Sequence, residues 1–127
     1  MSSRILLADD YEDSARSIAR LLELAGYHVF VALDGITAFN EALLVRPHIA
    51  LIDLSLARLD GYALARCFRA EPRLRDTILV CLTGRVLFAD EERALIRAFD
   101  RVLTKPVSAD ALVDVLNTLT MTHDAAH

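Results

Sequence analysis

The chain has 127 residues, 54% of them apolar, and a formal net charge of −4 at pH 7, which supplies enough apolar material for one core in one domain. Arginines are scattered among acids, so no basic stripe exists to neutralise a phosphate backbone, and direct nucleic-acid binding is excluded. Apolar runs are broken by Asp, Arg or Pro well short of the ~20 residues that cross a bilayer, and residues 1–4 lead into a strand without the pattern of a signal peptide. These features point to a cytoplasmic protein without a membrane span.

Taken in chain order, five short apolar runs at residues 5–8, 28–31, 49–52, 78–82 and 102–103 read as strands, and helical patterns separate them. Such alternation predicts a parallel sheet, and runs without polar alternation predict a sheet covered on both faces. The first helix carries Ala15, Ile18, Ala19, Leu22 and Ala25 on one face, with Gly26 as its stop. Asp34 is placed to cap a second helix bearing Ala38, Phe39, Ala42 and Leu43, which Pro47 ends. A third packs Gly61, Leu64, Ala65 and Phe68 and is closed by Pro72. The fourth, near residues 90–97, opens on acids that suit a helix N-terminus and turns Ala94 and Leu95 to the sheet. Ser108 caps the last, whose stripe is Leu112, Val115, Leu116 and Leu119; residues 122–127 read as a disordered polar tail behind a domain of residues 1–121.

On this layout Asp9 and Asp10 follow the first strand, Asp53 the third, Thr83 the fourth and Lys105 the fifth. All lie at carboxyl ends of strands, the edge of an open parallel sheet where ligands bind. If the first and third strands are neighbours, three carboxylates converge, and their repulsion calls for a cation. An all-oxygen set favours Mg²⁺ over softer metals. A metal, the Lys105 ammonium and the Thr83 hydroxyl would together cage a group with charged oxygens, such as phosphoryl. Cys67 and Cys81 have no partner at zinc-ligand spacing and read as reduced thiols, and His28, His48, His123 and His127 read as surface or tail residues.

The acidic pair Asp9-Asp10, the segment running from Asp53 through Leu54, Ser55, Leu56, Ala57, Arg58, Leu59 and Asp60 to Gly61, the pair Thr83-Gly84 and the pair Lys105-Pro106 resemble the receiver domains of two-component response regulators. The likeness runs over residues 4–119. It implies a flavodoxin-like, doubly wound α/β fold, with five parallel strands in the order 2-1-3-4-5 and five helices. It also implies that Asp53 takes a phosphoryl group from a histidine kinase or phosphotransfer protein. Asp10, Asp53 and the backbone carbonyl of Ser55 would ligate Mg²⁺, Asp9 would act through water, Thr83 and Lys105 would contact the phosphoryl oxygens, and the Lys105–Pro106 bond would be cis.

Three positions depart from the family pattern: Ala57 replaces a usual proline, Val102 a usual aromatic or histidine, and Ala98 a glycine that often ends the fourth helix. With Ala98 the chain must turn left-handed there or exit differently. The leading reading is a single-domain switch or phosphate relay, set against a phosphorylation-independent interaction module and an aspartate-nucleophile phosphatase. The last would carry an acid two residues after the nucleophile, where Ser55 stands. Val86, Leu87, Phe88, Ile96 and Val102 form either a contact patch for a target or a homodimer, or, for Leu87 and Phe88, part of the core.

Overall fold

In the computed structural model, which describes residues 3–56, 58–84 and 86–125, each apolar run becomes a strand of one sheet. The strands are β1 (Arg4–Ala8), β2 (His28–Ala32), β3 (Ile49–Asp53), β4 (Ile78–Thr83) and β5 (Arg101–Thr104). They are parallel in the order β2-β1-β3-β4-β5, as the resemblance implies. Between them run α1 (Glu12–Leu24), α2 (Gly35–Val45), α3 (Gly61–Ala70) and α4 (Ala89–Ala98), with α5 (Ala109–Ala125) last and a short 3-10 turn at Pro72–Leu74.

Successive side chains of a strand point to opposite faces, and β1 shows how this builds two cores. Leu6 and Ala8 join Ala38, Ala42, Leu64, Phe68 and Leu95 under α2, α3 and α4. Ile5 and Leu7 join Ala15, Ala19, Leu22, Leu112 and Leu116 under α1 and α5. The central strand β3 is buried at every position, which explains why its sequence lacks polar alternation.

Several helix ends differ from the sequence reading. Ala25 is the exposed C-cap of α1 and not part of its buried face. Asp34 caps α2 as expected, accepting from Thr37 N at 2.8 Å, but α2 ends through a left-handed Arg46, with φ 47°. Its last carbonyls are tied by Arg4, whose guanidinium donates to Val45 O and Arg46 O, both at 2.8 Å. Beyond Ala98 the chain leaves α4 through Phe99 in an extended conformation, φ −121°, so Ala98 carries no left-handed strain. Residues 122–125 continue α5 and are not a disordered tail, because an established helix gains one hydrogen bond per added residue even without an apolar stripe. Residues 126–127 lie outside the described residues. No described helix is long and apolar enough to cross a membrane.

Candidate functional site

The sheet register brings the acids together. Ala8 pairs with Ala32 on one side and Ile52 on the other, and Asp9 N donates to Ala32 O at 3.0 Å, so the chain leaves β1 beside the end of β3. There Asp53 is the last strand residue. Asp9 and Asp53 are buried and Asp10 exposed, and carboxylate oxygens from all three lie within 4.8 Å of one another. No other such cluster occurs among the described residues. Thr83 ends β4, buried, and its carbonyl accepts from Lys105 N at 2.8 Å. That bond directs Lys105 back across the site, where Nζ donates to Asp53 Oδ2 at 2.7 Å and stands 4.0 Å from Asp9 Oδ2.

Ser55 has a role the sequence did not suggest. Its amide and its hydroxyl both donate to Asp53 Oδ1, each at 2.9 Å. An Asp with Ser two residues on is the pattern of a side-chain-to-backbone turn, and that was the available signal. Burial alone would raise the Asp53 carboxyl, but the hydrogen bonds from Lys105 and Ser55 outweigh it and hold the group below its ordinary range. For Lys105, burial would lower the ammonium, and the Asp53 hydrogen bond together with the charges of Asp53, Asp9 and Asp10 raises it instead. The pair is therefore ionised at neutral pH.

Asp9 Oδ1 accepts from Tyr11 N at 3.0 Å, whereas Asp9 Oδ2 is buried with no hydrogen-bond partner. An unpaired buried carboxylate oxygen costs more than a neutral one. A small hard cation would relieve it, and a set of carboxylates and carbonyls suits Mg²⁺. The residues present thus fit such an ion.

The depressed Asp53 group has a defined consequence for acid stability. Its contribution to folding is present above the unfolded carboxyl value of about 3.9 and is lost as pH falls through the lower native value. We expect the metal-free protein to lose melting temperature below about pH 4 more steeply than Asp53→Asn, as measured by thermal denaturation across an acid series.

Elsewhere the expectations divide. Lys105–Pro106 is cis, as the resemblance implies. Val86 and Phe88 are 96% and 79% exposed and Ile96 is 61% exposed, while Leu87 and Val102 are half-buried and pack on the core. Leu87 therefore folds under and Phe88 does not. Val86, Leu87, Ile96 and Val102, but not Phe88, line a groove of about 630 Å³ between α4 and β5. His48 is no loose surface residue, since its Nδ1 accepts from Arg4 N at 2.9 Å. Ala57, His127 and the side chain of His123 lie outside the described residues.

Comparison with known proteins agrees with this architecture. The family model of the response regulator receiver domain matches residues 5–117. PilG of Pseudomonas aeruginosa is 26% identical over 113 residues, covering 89% of this chain and 84% of PilG. Response regulator PleD of Caulobacter vibrioides is 32% identical over 120 residues, which is 94% of this chain but only 26% of PleD. Among solved structures, the receiver domain of sensor histidine kinase PA1611 from Pseudomonas aeruginosa, with a magnesium ion coordinated in its active site cleft, has a TM-score of 0.84. It is 31% identical and covers 94% of this chain and 98% of that one. Because the family match runs through all five strands and into α5, the chain belongs to the receiver domains of two-component response regulators.

Proposed function

We propose that Asp53 is the phosphoacceptor of this receiver, loaded by a sensor histidine kinase or a phosphotransfer protein in the cytoplasm. The observation that carries the reading is one strand-end site that joins a buried Asp53, an ammonium on its carboxylate and a neighbouring Asp9 oxygen left without a partner. Asp9, Asp10, Asp53 and the Ser55 carbonyl would hold Mg²⁺, which when bound neutralises charge on the transferring group.

An Asp53 carboxylate oxygen attacks phosphorus, the new O–P bond forms, the P–N bond of the donor phosphohistidine breaks, and its electron pair returns to the imidazole. Ser55 fixes the rotation of the carboxylate through its two bonds to Oδ1. Lys105, already on Oδ2, exchanges that contact for a phosphoryl oxygen. Thr83, at the end of the adjacent strand, supplies a hydroxyl to the same group. An aspartate-nucleophile phosphatase would need an acid where Ser55 stands, and a hydroxyl that donates to the nucleophile does not provide one. Incubation with Mg²⁺ and acetyl phosphate tests the reading: intact mass should show a single hydroxylamine-labile phosphoryl adduct. Its absence from the well-folded protein would refute the assignment.

The groove beside α4 is where this state is read by a target or a second copy, with Val86, Leu87, Ile96 and Val102 as its apolar lining and the exposed Phe88 next to Leu87 at the start of α4. Phe88 sits at the N-cap of α4 without a side-chain acceptor. Phe88→Ser should therefore do two opposite things: weaken association and, by supplying the missing cap, raise stability by about 0.5–1 kcal/mol. Ile96→Glu should weaken association with stability unchanged within about 0.5 kcal/mol. Sedimentation of the phosphorylated protein and thermal melts measure the two effects separately. Two destabilised variants with unaltered association would place these side chains outside the reading surface.

A further inference from the structure

We infer that the N-terminus of α2 is the post that holds the Ser55 loop in place, making Gly35, Asp34 and Arg58 positioning residues for metal binding. The inference rests on the proposed function, since it concerns the loop whose Ser55 carbonyl is assigned to the ion. Residues 54–60 connect the phosphoacceptor to α3, and both ends are pinned. Leu54 N donates to Leu82 O at 3.0 Å, and Gly61 N donates to Leu54 O at 3.2 Å. Asp60 caps α3 through Ala63 N at 2.8 Å. Gly61 cannot bear a side chain, because a Cβ there would lie 2.6 Å from Asp53 O.

The middle of the loop is held by α2. A Cβ on Gly35 would stand 1.9 Å from Leu59 O and 2.6 Å from Leu59 Cβ, so Leu59 rests directly on the bare backbone of that residue. Beside it Arg58 takes a left-handed conformation, φ 68°, costly for a side chain with a Cβ. Its guanidinium donates to Asp34 Oδ2 at 3.3 Å. Asp34 is itself fixed as the cap of α2, accepting from Thr37 N and Oγ1.

A Cβ added at Gly35 must push Leu59 O from 1.9 Å to at least 3.4 Å, a shift of about 1.5 Å, to restore ordinary contact. With Asp60 and Gly61 held at the start of α3, that displacement is directed back along the loop toward Ser55. Mg²⁺ tolerates it poorly, since the ion demands near-ideal geometry at about 2.0–2.1 Å.

The test is Mg²⁺ titration of the full chain by calorimetry, alongside acetyl phosphate labelling at low and saturating Mg²⁺. Gly35→Ala should weaken Mg²⁺ about tenfold or more, with labelling impaired at low Mg²⁺ and restored at saturation. Asp34→Ser keeps a helix cap and removes the charge pair, and should weaken Mg²⁺ severalfold. Arg58→Gly removes the same pair while relieving the backbone, and added to Asp34→Ser it should cost nothing further. If Gly35→Ala does not fold, the two loop variants decide. Wild-type affinity in the folded variants, even with lowered melting temperatures, overturns the positioning role alone. A wild-type chain that binds no Mg²⁺ overturns both this inference and the proposed function.

Discussion

Asp53→Asn should yield no phosphoryl adduct from acetyl phosphate and Mg²⁺, under conditions that label the wild-type chain fully. An amide oxygen is not a nucleophile towards phosphorus at neutral pH, and among the described residues no other carboxylate has the Ser55 and Lys105 contacts of Asp53. Asp10 is exposed, and Asp9 has one oxygen engaged by Tyr11 N. The substitution keeps the shape of the side chain, so the acceptor of the Ser55 bonds can stay in place while the partner of Lys105 is weakened. That ion pair is partly open to solvent, with the Lys105 side chain 34% exposed, so its loss should change stability by about 1 kcal/mol or less. Intact mass and thermal melts on the same sample therefore separate loss of the nucleophile from loss of the fold. A fully labelled Asp53→Asn would move the phosphoacceptor to another residue.

Mg²⁺ should raise the melting temperature of the wild-type chain, because it binds the assembled carboxylates and not the unfolded chain. At a hundred times the dissociation constant the gain is about 2.7 kcal/mol, equivalent to several degrees for a domain of this size. Asp9→Asn should invert the pattern. The neutral amide can still accept from Tyr11 N, and it removes one of three negative charges crowded within 4.8 Å. Metal-free stability should then rise by about 1 kcal/mol, while the response to Mg²⁺ falls by more than half. Scanning calorimetry with and without Mg²⁺ gives both numbers. A variant less stable than wild type without metal, yet equally responsive to it, would show that Asp9 is a structural residue and that the ion is held elsewhere.

Much of this protein was readable from the order of its residues. The strands at Ile49–Asp53 and Ile78–Thr83 are unbroken apolar runs up to their last residue, and only a strand covered on both faces tolerates that composition. Asp9, Asp53, Thr83 and Lys105 are polar residues placed where those runs stop, and a parallel sheet carries every such stop to one edge. Local chemistry also sufficed for Asp34 as a helix cap, since a cap bonds to an amide only a few residues away. The missed features depend on contacts between segments distant in sequence. The end of α2 is set by Arg4 reaching the carbonyls of Val45 and Arg46 from β1. Leu87 is packed and Phe88 exposed although they are neighbours, because an irregular loop has no period from which a buried side can be read. The seat of Leu59 on Gly35 likewise left no trace in either segment alone. Periodicity reports which side of an element is buried, whereas the close approach of two loops is decided by the packing of the helices that carry them, and only the folded chain contains that information.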